Sequence, residues 1–143
     1  MLPFALPTKL QRAVPDDPAT ALMLFALRRM SAHGVFDAVV ATHFNRTFGA
    51  PFQRPLMLMR VLMSEVSQSA RATIQLAPSC CPRMTSGEAA LIEAALQLPD
   101  NPVRSRLLLA DLLANRAPEG ALLSLEAVVA AFADAGRPIG GRH

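Results

Sequence analysis

Apolar side chains recur at three- and four-residue spacing along most of this chain, and each such stretch starts and stops on residues that punctuate helices. In the segment 17–34, Asp17 is suited to accept from the first free backbone N–H groups, Pro18 to occupy the first turn, and Gly34 to take the left-handed conformation that closes a helix, which predicts a helix over 18–33. Asp37 predicts a second over 37–48, with Val40, Phe44 and Phe48 along one side. Pro55 opens a third, on which Leu56, Met59, Met63 and Val66 form an apolar stripe while Arg60, Ser64 and Ser67 mark the wet side.

The stretch 71–78 alternates weakly and has no evident mate, so it reads as an extended linker across the bundle. Thr85 and Glu88 then form a T-x-x-E capping box, which starts a fourth helix over about 86–98. Asn101 and Pro102 open a fifth through PVRSRLLLADLLANR. The sixth begins near Pro118, carries Leu122, Leu125, Val129 and Phe132 at helical spacing, and stops at Gly136. Its outer face includes Ala127, Ala130 and Ala131. The predicted fold is an all-α, single-domain bundle of about six helices joined by short Pro/Gly-punctuated loops. The folded core is expected over about 16–137, with loosely held ends at 1–15 and 138–143.

Composition narrows the possibilities. A chain of 143 residues suits one domain able to bury a core without disulfides or a metal. Apolar residues make up 52% and charged residues only 17%, against roughly 25% charged in soluble domains. Little polar surface remains to coat the outside, so some apolar surface is expected to meet a partner. The longest apolar run, ALMLFAL at 21–27, is far shorter than the ~20 residues of a membrane span. The N-terminus lacks the basic start of a secretory signal, and Pro3, Pro7 and Pro15 interrupt it. A cytoplasmic protein with reduced thiols is the expectation.

The net charge of +3 is uneven: residues 1–85 carry nine basic and four acidic groups, and 86–143 carry five and seven. The first part suits an anionic partner, or the second part of another copy. Arg28, Arg29, Arg46, Arg54 and Arg60 are the candidates for a basic patch. Helices 18–33 and 37–48, joined across Gly34, resemble a helix-turn-helix superficially, with Thr42, His43, Asn45 and Arg46 on the reading helix. Phe44 and Phe48 face the core in that reading, which weakens it; solvated charges and helix-end pairing are the commoner use of such residues.

Candidate chemistry gathers in APSCCPRMTSGEAAL, residues 77–91. Arg83 and the free N–H groups at the helix opening could supply the positive potential that favours a thiolate at Cys80 or Cys81. A disulfide between the two would be strained, because adjacent Cα atoms lie about 3.8 Å apart, below the usual ~4.4 Å minimum for bridged cysteines. A zinc set would need His33 and His43 beside both thiols. Cys81-Pro82 matches the dipeptide of some haem-responsive proteins, a two-residue signal only. The bland alternative is an apolar turn whose cysteines pack as small hydrophobes and seat the fourth helix. His33 suits helix-end capping, His43 a half-buried position, and Met57, Met59 and Met63 core packing. No G-x-S-x-G, phosphate-cradling glycine loop, H-E-x-x-H or acidic cluster occurs, so neither catalysis nor a cofactor is expected.

The order of LMLFALRRMSAHG, RPLMLMRVLM, CCPRMTSGEAALI and AFADAGRPIG resembles a family of short, uncharacterised all-α proteins of sphingomonad-type alphaproteobacteria. The resemblance covers about residues 15–140 and implies bacterial cytoplasm and one helical domain, with no activity or catalytic residue to carry over. The expected function is a non-enzymatic helical interaction module that self-associates. A thiol-based redox or metal-responsive regulator acting through Cys80 and Cys81 is the alternative, and a nucleic-acid binder using the basic first part is the second.

Overall fold

A computed structural model describes the backbone of residues 4–5 and 10–141. Among these residues the chain forms six α-helices: α1 Pro18–His33, α2 Ala38–Phe48, α3 Gln53–Ser69, α4 Ser86–Gln97, α5 Pro102–Leu113 and α6 Glu119–Asp134. Their ends follow the punctuation. The Asp17 carboxylate accepts from Thr20 N at 3.0 Å, Asp37 from Val40 N at 3.2 Å, and Asn101 from Arg104 N at 3.2 Å. Gly34, at φ 99°, ends α1 while its N–H donates to the Met30 carbonyl.

Four short strands tie the chain's start to the segment before α4. β1 (Phe4–Ala5) runs parallel to β3 (Ile74–Gln75), and β2 (Leu10–Ala13) runs antiparallel to β4 (Arg83–Thr85). The linker expected at 71–78 therefore does have a mate, supplied by residues expected to be loosely held. Alternation this short carries no information about a partner some seventy residues away, and only the packed bundle brings the two segments together. At the other end, Ile139–Gly141 form a 3-10 turn, whose Gly140 N–H donates to Thr20 Oγ1 at 2.8 Å and to Asp17 at 3.2 Å. For residues 1–3, 6–9 and 142–143 the expectation of loose ends lies outside the described residues.

Helix α1 is buried nearly all round, through Leu22, Met23, Leu24, Ala26, Leu27 and Met30, which makes it the central element. It touches α2, α3 and α4, while α6 lies along α3 and α5 along α4. The predicted stripes face inward: Val40, Phe44 and Phe48 on α2, and Leu56, Met59, Met63 and Val66 on α3, are buried. Phe44, Phe48 and Phe132 form a tilted and edge-to-face ring cluster with centroids 5.0–5.8 Å apart. Met57, expected to pack with Met59 and Met63, lies exposed instead, and Ala131, expected on the outer face of α6, is buried. No described helix is long and apolar enough to cross a membrane.

Candidate functional site

The site begins with the capping box. Thr85 Oγ1 accepts from Glu88 N at 3.0 Å, and the Glu88 carboxylate accepts from Thr85 N at 2.9 Å, so each side chain satisfies a backbone donor of the other. Glu88 is fully buried, and its second oxygen accepts from Ala77 N at 2.9 Å. Burying that carboxylate requires a cation, because an unpaired charge away from water is prohibitive. Arg28 of α1, only 4% exposed, supplies it through Nε and Nη2 at 2.8 and 3.0 Å. Its remaining reach goes to the backbone: Nη1 donates to the Cys81 carbonyl and Nη2 to the Arg83 carbonyl, each at 2.8 Å. No buried side-chain nitrogen or oxygen among the described residues lacks a partner.

This network fixes the cysteine loop. Residues 78–81 make a turn closed by Cys81 N donating to the Pro78 carbonyl at 3.0 Å, with Ser79 and Cys80 at its tip. The Pro82 carbonyl accepts from Val14 N at 3.0 Å, so Cys81-Pro82 leads into the β2–β4 pairing. Cys80 is exposed and Cys81 half-buried. The expected apolar turn with packed cysteines is thus only partly formed: the loop does seat α4, but backbone carbonyls held by Arg28 do the seating. The helix opening near Thr85, considered a source of positive potential for a thiolate, is filled by the capping box itself.

Cys81 also lines a groove of about 320 Å³ between α1, α2 and the loop, together with Val14, Phe25, Arg28, His43 and Ser79. Helical spacing on α2 turns His43 toward α1, where its ring stacks on Phe25 with centroids 4.3 Å apart and planes 18° from parallel. Burial holds the His43 imidazole below its ordinary pKa, and the nearby charges of Arg46 and Arg29 push the same way. Both effects favour the neutral imidazole over the charged one.

The other candidates are dispersed. His33 is exposed and lines a different groove, with Phe4, Arg29 and Pro78, behind the loop. No group of three or more His, Cys, Asp or Glu side chains among the described residues is placed to hold a metal ion. Of the basic-patch candidates, Arg28 is inside the protein and cannot contribute its charge to the surface. Arg29 pairs with Asp37 at 3.0 Å, and Arg54 with Asp134 at 3.3 Å. Arg60 donates to the Val35 carbonyl at 3.0 Å and lies over the exposed Phe36 ring. Arg46 is exposed near the end of α2, and the Arg83 side chain is exposed beside the loop. Thr42 of the would-be reading helix bonds back to the Ala38 carbonyl, and His43 beside it is turned toward Phe25.

Sequence reading missed the Arg28–Glu88 pair. Glu88 was visible as a capping residue and Arg28 as a basic one, and no local signal joins two helices sixty positions apart. Large apolar side chains left in solvent are a second feature. On α5, Val103 and Leu107 are 69% and 60% exposed, and on α6 Leu123 is 66% exposed.

No curated protein and no solved structure matches the chain at a significant level. The model of a family of unknown function, DUF6628, matches residues 5–98, a segment containing Arg28, His43, Cys80, Cys81 and Glu88. This agrees with the resemblance to an uncharacterised family, and because the match spans more than half of the sequence, the chain belongs to DUF6628.

Proposed function

We propose that this protein is a non-enzymatic helical interaction module that associates with a second copy of itself through the outer faces of α5 and α6. The observation that carries the reading is the exposure of Val103 and Leu107, one helical turn apart on α5, together with Leu123 on α6. Side chains of this size lose favourable burial, about 1.5–3 kcal/mol each, when left in water, and a chain with so few charged residues has little polar surface to dilute them. Arg106 supports the geometry. It bonds Glu119 at 2.7 Å and the Arg116 carbonyl at 3.1 Å, which braces the start of α6 against α5. A rigid apolar face with an arginine at its rim is the composition of a self-complementary interface.

Both helices lie beyond the segment matched by the family model, so this association is a property of the remainder of the chain. The reading includes a cytoplasmic setting in which Cys80 and Cys81 remain thiols. The pairing of Arg28, Arg29 and Arg54 with carboxylates weighs against nucleic acid as the partner.

Sedimentation velocity over a wide concentration range tests the proposal. The parent protein should sediment as a dimer, and Val103→Asp with Leu107→Asp should sediment as a monomer of unchanged helical circular dichroism. A parent that stays monomeric at the highest concentration, or a double variant that still dimerises, rejects it.

A further inference from the structure

The turn from α1 into α2 and the outer sides of α2 and α3 carry a second set of exposed apolar side chains. Phe36 is 78% exposed, more than any other large apolar residue described, and Val39, Met57 and Val61 are exposed as well. Helical spacing fixes their relations: Met57, Arg60 and Val61 share the outer side of α3, and Val39 and Arg46 lie two turns apart on that of α2. Arg60 ties the turn to α3. Its Nε donates to the Val35 carbonyl at 3.0 Å, and its guanidinium lies over the Phe36 ring, 4.8 Å from the centroid, so a ring left in water is braced on a cation.

The charge on this side has one sign. From Gly34 to Ser64 the chain carries Arg46, Arg54 and Arg60 against a single acid, Asp37, whose two oxygens are already taken by Arg29. Among the described residues, no carboxylate is within ion-pair reach of Arg46 or Arg60. Protruding apolar side chains beside arginines that lack a carboxylate partner call for an occupant that is both apolar and anionic.

We propose that this face lies against an anionic lipid bilayer, with Phe36, Met57, Val39 and Val61 entering the headgroup boundary and Arg46 and Arg60 meeting lipid phosphates. Arginine suits that level, since its stem packs among apolar groups while its head stays with phosphate. A second copy is the poorer occupant: a two-fold interface sets a patch against itself, which would bring the arginines of one molecule onto those of the other. Nucleic acid would take up the guanidinium groups and leave the aliphatic side chains in water. All these residues lie within the segment 5–98 matched by the family model, whereas α5 and α6 lie beyond it, so the bilayer face stands independently of self-association.

Flotation of the full-length protein with lipid vesicles tests the proposal. Vesicles of phosphatidylcholine with about one-third phosphatidylglycerol should bind the protein at low salt at least about tenfold better than phosphatidylcholine alone, and added salt should release it. Phe36→Ser with Met57→Ser should weaken that binding at least about tenfold. Arg46→Gln, a surface change on α2, should weaken it about fivefold and serves as the second variant should the first unsettle the fold. Absence of binding at low salt, equal binding to both vesicles, or binding indifferent to these substitutions overturns the proposal. Sedimentation of the Phe36→Ser, Met57→Ser protein closes the remaining alternative: loss of a dimer that the parent forms would make this face a contact between copies and overturn the lipid assignment.

Discussion

Arg28 and Glu88 meet as a two-pronged ion pair at 2.8 and 3.0 Å, both side chains withdrawn from solvent. The pair does more than neutralise itself. Glu88 also accepts from Ala77 N and Thr85 N, and Arg28 also donates to the carbonyls of Cys81 and Arg83, so the two residues clamp both sides of the cysteine loop. Charges buried this deeply are sustained only while every partner is in place.

Replacing one member should therefore be severe. Arg28→Met leaves a buried carboxylate without its cation and should cost about 3–5 kcal/mol in urea-induced unfolding. Because the residues act as a unit, Arg28→Met combined with Glu88→Gln should cost less than the two single changes added, by about 0.5–3 kcal/mol of coupling. Strict additivity in the double-mutant cycle would contradict the clamp.

Thr85 is fully buried, and its hydroxyl accepts from Glu88 N while donating to the Gln75 carbonyl at 2.6 Å. Thr85→Ala loses the cap and the hydroxyl's bond to the Gln75 carbonyl, for an expected loss of about 1–2 kcal/mol. Thr85→Ser keeps both bonds and should lose clearly less. Thermal unfolding of the two variants side by side distinguishes the hydroxyl's contribution from that of the methyl.

His43 should make stability depend on pH. Burial, reinforced by Arg46 and Arg29, lowers its pKa in the folded protein below the ordinary 6.5. The unfolded chain then binds more protons as pH drops through that region, so the contribution of a neutral His43 is complete above pH 6.5 and is lost as pH falls below it toward the folded value. Unfolding measured in steps from pH 7.5 downward should show this slope, and His43→Phe should flatten it while keeping the stack on Phe25. An unchanged slope in the variant would assign the effect to other groups.

Phe132 is fully buried and touches both Phe44 and Phe48 edge-on, joining α6 to α2. Phe132→Ala should cost about 3–5 kcal/mol, through lost transfer energy and the cavity left behind. Leucine at the same position should recover most of the loss, read as the midpoint of urea unfolding.

Much of the architecture was legible because helix ends are local. Asp17 lies within one turn of the Thr20 N–H it caps, Thr85 and Glu88 complete their box across three residues, and Gly34 closes α1 by its own backbone freedom. The stripes on α2 and α3 were equally readable, since helical spacing alone decides which side chains share a face. The strands were not. Ile74–Gln75 and Phe4–Ala5 each offer two residues, and nothing in either names the other.

The candidate site was visible in part. Cys80 and Cys81 stood out by type, and His43 by its position beside Val40 and Phe44, but the sequence could not join them. Arg28 was misplaced on the surface because a charge is normally solvated, and only a carboxylate already buried by the capping box draws it inside.

The sequence by itself determined where helices begin, where they end and which stripe each one buries, because caps, prolines, glycines and apolar spacing act within a turn or two. The tertiary structure alone decided which of many similar side chains found partners. It took Arg28 rather than Arg46 into the core, brought Cys81 and His43 to the lining of one groove, and left Val103 and Leu107 in water while Leu109 of the same helix was buried. Those outcomes depend on which faces meet when six helices pack together, and burial then sets whether a charge must pair, a thiol gains a neighbour or an apolar side chain still lacks one.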